Sequence, residues 1–236
     1  MTTALPLQDT IALVTGASRG LGAAVAIELA RLGAHPVITA RTQGGLEETD
    51  DAIRASGGAS TLIPLDLHEA TDVDKLGPSI WQRFQRLDIL VHCAASLGRL
   101  APIAHLMPYE WADPVEVNFS APMRLMRTCE PLLRQAPAGR AVFVTDARAR
   151  SPKAYWGAYA ATKAGLEHLV RTWADELERT PVRVNLFDPG PMATRLRRGA
   201  FPGEIPSSLP KPDDIAPALA TLCLPSEQRT GQLVTR

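Results

Sequence analysis

The sequence predicts an α/β fold in which helices cover both faces of a doubly wound parallel sheet of about seven strands, giving three layers. Three observations predict it. Seven short apolar runs recur along the chain, segments with helical spacing separate them, and the runs lack the apolar–polar alternation of a half-exposed strand. Parallel strands need such crossover segments, and ligands bind these sheets at the carboxyl ends of the strands.

Each element follows from a local pattern. The first helix covers residues 21–33, where Val25, Leu29 and Leu32 recur three or four apart and Gly33 is a suitable stop. The predicted strands, all rich in β-branched or apolar residues, are IALVT (11–15), PVITA (36–40), TLIPL (61–65), DILVH (88–92), RAVFVT (140–145), VRVNLF (182–187) and GQLVT (231–235).

Composition limits the classes of protein to consider. The chain has 236 residues, of which 45% are hydrophobic, and its 25 Lys and Arg balance 25 Asp and Glu. A net charge of zero excludes a broadly basic nucleic-acid binder and a highly charged disordered chain. The length favours one large domain over residues 1–236, with two small domains as the alternative.

Neither a membrane segment nor a metal site is predicted. No run reaches the roughly 18 apolar residues of a membrane helix, and the start MTTALPLQDT lacks the pattern of a signal peptide, so we expect a cytoplasmic protein. The widely separated Cys93, Cys129 and Cys223 form no metal-binding spacing and are predicted to be buried, reduced thiols.

A glycine-rich turn, TGASRGLG at 15–22, joins the first strand to the first helix. Gly16, Gly20 and Gly22 permit a tight turn and the close approach of a pyrophosphate, which the free N–H groups of the helix would bind. The turn therefore predicts a dinucleotide site, and a purely structural turn is the alternative. Its GxSxG pattern around Ser18 also fits a hydrolase elbow, which is disfavoured because one strand and ten residues leave no room upstream for an oxyanion-hole loop.

Two arginines predict the cofactor. Arg41 ends the second strand, where an NAD-selective site would carry an acid for the ribose 2′-hydroxyl, and Arg19 lies in the glycine turn. Together they favour the 2′-phosphate of NADP(H) over NAD(H), although either one alone could be a surface residue. Asp66, which follows the third strand with Leu67, could bind the adenine amino group or cap a helix.

Six motifs, in order, resemble the short-chain dehydrogenase/reductase family along nearly the whole chain. They are TGASRGLG (15–22), LDL (65–67), DILV with HCAA (88–95), VNFSAP (117–122), YAATK (159–163) and RVNLFDPGPMAT (183–194). The resemblance implies a Rossmann-like single domain that binds NAD(P), a substrate lid at about 191–210, and a homodimer or homotetramer built through the helices that carry Asn118 and Tyr159.

The resemblance also implies which residues contact the cofactor. They are Gly16, Ser18, Arg19, Gly20, Leu21, Gly22, Arg41, Asp66, Leu67, Ala94, Tyr159, Lys163, Pro189, Gly190, Met192 and Thr194.

The predicted catalytic pair is Tyr159 and Lys163, which lie four apart and so share one helix face. An ammonium near a phenol lowers the pKa of the phenol, ordinarily about 10. By resemblance, Tyr159 gives a proton to a carbonyl in reduction or takes one in alcohol oxidation, and Lys163 also holds the nicotinamide ribose. Asn118 would position a water that links the lysine to solvent, and Pro122 predicts a helix kink beside it.

Two positions depart from the family pattern. His92 and Cys93 replace two asparagines before Ala94, and we expect His92 to be a satisfied strand-end residue. Asp146 stands thirteen residues before Tyr159, where the family has a catalytic serine that donates a hydrogen bond to the substrate oxygen.

An ionised Asp146 would oppose the usual chemistry, since a charge 4 Å from a developing phenolate costs about 4 kcal/mol at an effective dielectric of 20. The acid must be protonated, turned away or answered by a cation. Thr145 could replace the serine only if the loop shifts the register. The two functions left open are a reductase and a protein that binds NADP(H) as a sensor or scaffold without turnover.

The substrate rim is rich in arginine. Five arginines on two segments would suit an anionic substrate, with solvated surface or an oligomer contact as the alternative. They are Arg148, Arg150, Arg195, Arg197 and Arg198. The sequence as a whole predicts an NADP(H)-preferring oxidoreductase of a small carbonyl or alcohol substrate, with no nucleic-acid or membrane partner.

Overall fold

The computed structural model describes residues 5–236. The start of the chain, MTTALPLQDT, is not predicted to be a signal peptide, and its first four residues lie outside the described range. Within that range one parallel sheet of seven strands has the order β3-β2-β1-β4-β5-β6-β7. The strands are β1 Ile11–Thr15, β2 His35–Ala40, β3 Thr61–Pro64, β4 Ile89–His92, β5 Arg140–Val144, β6 Arg183–Asp188 and β7 Leu233–Thr235. The predicted doubly wound fold is confirmed.

Eight α-helices in the described part of the chain connect or flank these strands. Short 3₁₀ turns lie at Ile103–His105, Ala147–Ala149 and Pro206–Ser208, and a π-helical turn occupies Glu116–Ser120. The α-helices are α1 Gly20–Arg31, α2 Gln43–Ala55, α3 Ala70–Phe84, α4 Pro108–Val115, α5 Ala121–Gln135, α6 Gly157–Glu176, α7 Arg195–Ala200 and α8 Pro212–Thr221.

Each face of the sheet has its own apolar core. Leu13 packs in the core that contains Phe143 and Trp173, whereas its neighbour Val14 packs in the core that contains Val25. Successive strand residues point to opposite faces, so both faces of β1 are buried. This double burial is why the strands read as continuous apolar runs.

The predicted stop after the first helix is a left-handed turn. Helix α1 ends at Arg31, and Gly33 has φ of +102°. A Cβ at Gly33 would lie 2.8 Å from the Cβ of Leu5, so both the backbone angle and the packing require glycine.

The strand order reverses at β1, which pairs with β2 on one side and with β4 on the other. Thr15 at the end of β1 is therefore flanked by Thr39 of β2 and His92 of β4. This topological switch point opens a crevice at the carboxyl ends of the strands. Across residues 5–236, no helix is both long and apolar enough to span a bilayer.

Candidate active site

A cavity of about 640 Å³ lies at the switch point. Every predicted cofactor residue lines it, together with the predicted catalytic residues Asp146, Tyr159 and Lys163, whereas Asn118 lies behind the wall. The fold thus collects side chains and turns that are spread from residue 15 to residue 199 of the sequence.

The glycine turn is shaped by close packing. Gly16 has φ of +69°, and a Cβ there would lie 2.7 Å from the backbone of Ala94 in the loop after β4. A Cβ on Gly22 would lie 2.3 Å from the carbonyl oxygen of Gly16. Side chains at these two positions would push the turn away from β4 and the helix away from the turn, which explains the glycine spacing.

The amino terminus of α1 faces the cavity without a competing anion. Its first turn holds no acidic residue, and the side chain of Arg19 does not cap it. The first N–H groups of a helix have no intrahelical partner and carry partial positive charge, so they bind phosphate well. The glycine turn, the helix terminus and the close approach to Ala94 fit the pyrophosphate of a dinucleotide.

Two arginines line the cavity near the carboxyl end of β2, where the ribose of the cofactor is predicted to bind. Arg41 follows β2, and Nη2 of Arg19 donates a hydrogen bond to Oγ1 of Thr42 at 3.2 Å. Both arginine side chains are exposed and line the cavity. Beside them the hydroxyl of Thr39 is buried and has no hydrogen-bond partner in the described chain.

Asp66 is held in place by His68. Its Oδ1 lies 2.7 Å from Nδ1 of His68, whose Nε2 lies 3.0 Å from Oδ1 of Asp113. Burial opposes ionisation of Asp66, but the hydrogen bonds from His68 hold its pKa below the usual value. Burial likewise opposes the charge on His68, yet the two carboxylates raise its pKa above normal. Glu69, not Asp66, occupies the N-cap position of helix α3, and its side chain makes no capping hydrogen bond.

The link continues from Asp113 to the predicted catalytic Asn118. The Ser96 hydroxyl donates to Asp113, and the Ser96 N–H donates to Oδ1 of Asn118 at 2.8 Å. Sequence reasoning missed His68, Asp113 and Ser96. The Asp-x-His spacing at 66–68 was the one available signal, because the other two partners come from distant segments.

Asn118 lies in the π-helical turn between α4 and α5 and is fully buried. Its Nδ2 donates to the Ser96 carbonyl at 2.8 Å and to Oγ1 of Thr162 at 3.1 Å. The predicted kink at Pro122 takes the form of a π turn, in which the N–H of Ala121 reaches back five residues to Glu116. Asn118 therefore joins the loop after β4 to α6, and its water-positioning role stays a prediction.

Tyr159 and Lys163 lie on one buried face of α6, as the four-residue spacing predicts. Nζ of Lys163 donates to the carbonyl of Val144 at 2.8 Å. The Tyr159 hydroxyl faces Oδ2 of Asp146 at 3.5 Å. The predicted catalytic pair thus lies at the carboxyl end of β5.

The pKa of Tyr159 corrects one expectation. Burial raises the pKa of its hydroxyl above the ordinary value, and the charges of Asp146 and Asp188 raise it further. Burial lowers the pKa of Lys163 to about 8, although Asp146 favours its charged form. The expectation that Lys163 lowers the phenol pKa is wrong for this arrangement, because desolvation and the two acids dominate.

Asp146 faces the cavity. Its Oδ1 accepts a hydrogen bond from the N–H of Arg148 at 2.8 Å and caps the turn at Ala147–Ala149. An acid at this position could be protonated, turned away from Tyr159 or answered by a cation. Asp146 is not turned away, because its Oδ2 faces the Tyr159 hydroxyl. Lys163 and Arg197 are both close enough for the charge of Asp146 to favour their charged forms.

The structure disfavours the alternative that used Thr145. Its hydroxyl is buried and donates to Oε1 of Glu167 at 2.8 Å, whereas Asp146 faces Tyr159. These different partners agree with the rule that neighbouring residues of an extended chain face opposite ways. Asp146 therefore remains the residue predicted at the position of the family serine.

His92 is fully buried at the end of β4, and its Nδ1 bonds to Oγ1 of Thr15 at 2.9 Å. Burial lowers the pKa of His92 to about 3, with help from Lys163. We expect both ring nitrogens of His92 to be hydrogen-bonded. Nδ1 has a partner, but Nε2 has none in the described chain. Cys93 is partly exposed, whereas Cys129 and Cys223 are buried, and all three are free thiols.

Two of the five rim arginines are neutralised. Arg150 forms ion pairs with Glu167 and Asp188, and Arg197 binds Glu204 at 2.6 and 2.7 Å. Among residues 5–236, Arg148, Arg195 and Arg198 have no carboxylate partner. The positive rim is therefore smaller than the sequence predicts.

The aromatic residues near the rim have different roles. Trp156 lines the cavity and packs edge-on against Tyr159, with ring centroids 5.6 Å apart. Tyr155 is 59% exposed and lies outside the cavity. Trp156 is therefore part of the wall of the site, whereas Tyr155 is not.

The chain matches a known protein family and is similar to members of it. The model of the short chain dehydrogenases matches residues 10–204. The uncharacterized oxidoreductase YciK of Escherichia coli K12 is 36% identical over 214 residues, which cover 89% of this chain and 84% of that protein.

Two solved structures are also similar. A short chain dehydrogenase from Pseudomonas syringae superposes with a TM-score of 0.94 at 35% sequence identity. The match covers 100% of this chain and 97% of the chain from P. syringae. One from E. coli CFT073, complexed with NADPH, has a TM-score of 0.93 at 34% identity, with 99% and 98% covered.

Proposed function

Because the chain belongs to the short-chain dehydrogenase family, we propose that it transfers hydride between NADP(H) and a carbonyl or alcohol substrate, with Tyr159 as the proton donor or acceptor. The family makes it a dehydrogenase or reductase of CH–OH or C=O groups. We also propose the preference for NADP(H) over NAD(H) and the catalytic residues.

The proposed preference for NADP(H) is supported by the ribose end of the cavity. Arg19 and Arg41 are exposed there, and residues 40–42 carry no acid that would bind a 2′-hydroxyl. Guanidinium groups bind phosphate in bidentate fashion. The similar structure from E. coli CFT073 is complexed with NADPH.

When bound, the nicotinamide supplies or accepts hydride. The glycine turn and α1 would hold its pyrophosphate, and Asp66 would accept from the adenine amino group. Lys163 would bind the ribose while its Nζ remains anchored to Val144. Tyr159, whose raised pKa keeps it protonated, would donate its proton to the substrate oxygen during reduction.

One observation carries the proposal. Tyr159 and Lys163 are both buried on the face of α6 that lines the same cavity as the glycine turn. A structural helix face has no need of a buried amine and a buried phenol beside a phosphate-binding turn.

The test is a screen of ketones, aldehydes and acyl thioesters with NADPH, followed by Tyr159→Phe. Loss of the proton donor should lower kcat about 100-fold or more. Tyr155→Phe is the matched control, since Tyr155 is exposed and outside the cavity, and it should retain full turnover. Unchanged turnover in Tyr159→Phe would remove Tyr159 from the mechanism.

Asp146 favours a second candidate function, a protein that binds NADP(H) as a sensor or scaffold without turnover. The acid faces Tyr159 and cannot donate a hydrogen bond when ionised. Tight NADPH binding, no turnover in the screen and no activity gained in Asp146→Ser would establish that function instead.

The rim and one helical surface support two further proposals about partners. Arg148, Arg195 and Arg198 lie free of carboxylates in the described chain and would attract an anionic substrate. Trp111 of α4 and Phe119, which lies beside Gly165 of α6, are 43% and 38% exposed, which suits a homodimer or homotetramer. Sedimentation analysis of the protein tests whether it is a homodimer or homotetramer. If the rim arginines attract an anionic substrate, a substrate analogue without its carboxylate or phosphate should be turned over less well.

A further inference from the structure

We propose that Asp146 is a specificity residue that selects carbonyl substrates with a hydroxyl group on the carbon next to the reacting carbonyl. In the reverse direction the substrate would be a vicinal diol. The inference rests on the proposed function, because it assigns the substrate class of the same site.

The two oxygens of Asp146 have different surroundings. Oδ1 accepts from the N–H of Arg148 at 2.8 Å, which fixes the carboxylate on its turn. Asp146 lines the cavity beside Tyr159, and in residues 5–236 the one donor to its Oδ2 is the hydroxyl of Tyr159. An anchored carboxylate oxygen with spare lone pairs is an acceptor for a donor group of the substrate.

The contact between Asp146 and Tyr159 leaves room for a ligand. At 3.5 Å it lies at the long limit of a hydrogen bond, well beyond the usual 2.7–2.8 Å of an O–H···O bond. The pair is therefore not closed on itself, and each group can exchange its weak partner for a better one.

The pair presents a donor beside an acceptor. Tyr159 can donate to a carbonyl oxygen while Oδ2 of Asp146 accepts from a neighbouring hydroxyl. A hydroxycarbonyl offers the complementary acceptor and donor on adjacent carbons, so two roughly parallel hydrogen bonds can form. A simple ketone would satisfy Tyr159 but leave Oδ2 desolvated without a donor, which is costly.

Local charge favours a neutral hydroxyl over an ammonium as that donor. Lys163 and Arg197 both lie close enough to Asp146 for its charge to favour their charged forms. A ligand ammonium would add a further positive charge to a cavity that these two residues and Arg148 already line. A hydroxyl supplies the hydrogen bond without that cost.

The reaction balances with NADPH as reductant. The carbonyl carbon gains hydride and forms a C–H bond, the C=O π pair moves to oxygen, and that oxygen takes the proton of Tyr159. The products are a vicinal diol and NADP⁺. The tyrosine oxygen then regains one proton from solvent, and the neighbouring hydroxyl is unchanged.

The test uses four matched aryl ketones with NADPH: acetophenone and its 2-hydroxy, 2-methoxy and 2-amino derivatives. The 2-hydroxy compound should have kcat/KM about ten- to hundred-fold above acetophenone and its 2-methoxy ether, the range expected for a hydrogen bond to a charged group. Asp146→Ser should abolish this preference, and Asp146→Asn, of nearly the same shape, should weaken it. A 2-amino compound turned over best would overturn the choice of a neutral hydroxyl.

Binding provides a readout independent of turnover. In calorimetric titrations with NADP⁺ present, 1-phenyl-1,2-ethanediol should bind about tenfold or more tighter than 1-phenylethanol to the natural protein. The two alcohols should bind equally to Asp146→Ser. Equal binding to the natural protein, or a preference that survives in Asp146→Ser, would overturn the inference.

The two proposals fail in different ways. If no ketone is reduced but the diol preference depends on Asp146, the inference holds and the catalytic proposal fails. If Tyr159→Phe abolishes turnover while hydroxyketones have no advantage, the catalytic proposal holds and the inference fails.

Discussion

The hydroxyl of Tyr159 faces the carboxylate of Asp146 across 3.5 Å, at the carboxyl end of β5. The acid lies on a capped turn and the phenol on a buried helix face, so neither is free to move away. Their proximity, with burial, raises the pKa of the phenol. On our proposals, this relationship favours proton donation by Tyr159 and selects the substrate that fits.

The pH dependence of alcohol oxidation should shift in Asp146→Ser. Oxidation needs ionised Tyr159, and removing a negative neighbour lowers the pKa of the phenol. The alkaline rise of kcat/KM for oxidation should therefore move to lower pH by at least about 1 unit. Asp146→Asn separates charge from shape and should give the same shift. An unchanged pH profile would show that the charge of Asp146 does not affect the pKa of Tyr159.

Cofactor choice should depend on Arg19 and Arg41. Either one replaced by alanine should raise the Kd of NADPH about ten- to hundred-fold and leave the Kd of NADH nearly unchanged, because a charged hydrogen bond to the 2′-phosphate is lost. Fluorescence titration measures both. Arg31→Ala is the control. Arg31 lies at the end of α1 opposite Arg19, its side chain is 60% exposed, and its replacement should leave both Kd values unchanged. A natural protein that binds NADH as tightly as NADPH would contradict the proposed preference.

Arg150 should contribute to stability. It pairs with Glu167 and Asp188, which are 4% and 9% exposed, so Arg150→Met would leave two buried acids without this partner. Since Arg150 is 34% exposed and Arg171 still binds Glu167, we expect a loss of about 1–3 kcal/mol in urea unfolding.

Controls for Arg150 come from the same loop and from its partner. Arg148→Met should change the free energy of unfolding by less than about 0.5 kcal/mol, because Arg148 pairs with no carboxylate in the described chain. Adding Glu167→Gln to Arg150→Met should recover part of the loss. Equal effects of the two arginine variants would argue against an ion-pair origin.

His68 should stabilise the protein most at low pH. Its folded pKa is raised, so its contribution is fully present below the unfolded value of 6.5 and is lost as pH rises through the folded pKa. His68→Ala should lower Tm by about 2–4 °C more at pH 5.5 than at pH 8.5, measured by circular dichroism. A Tm difference independent of pH would show that His68 acts only through neutral contacts.

Much of the fold was predictable because its causes are local. Apolar runs covered on both faces fixed the strands, and the glycine spacing of 16–22 reflects backbone contacts that no Cβ can enter. Helical spacing placed Tyr159 and Lys163 on one face of α6. Strand alternation likewise predicted that Thr145 and Asp146 face different ways, and their hydroxyl and carboxylate have different partners, Glu167 and Tyr159.

The sequence by itself determined the chain's architecture, its nucleotide-binding turn and the presence of an acid where a serine is expected, since each depends on neighbours along the chain. The tertiary structure decided what those groups experience. Arg150 turned out to be bound by Glu167 and Asp188, His68 to bridge two acids, and Tyr159 to have a raised pKa. Burial and charge act through space, and segments far apart in sequence supply the partners that set them.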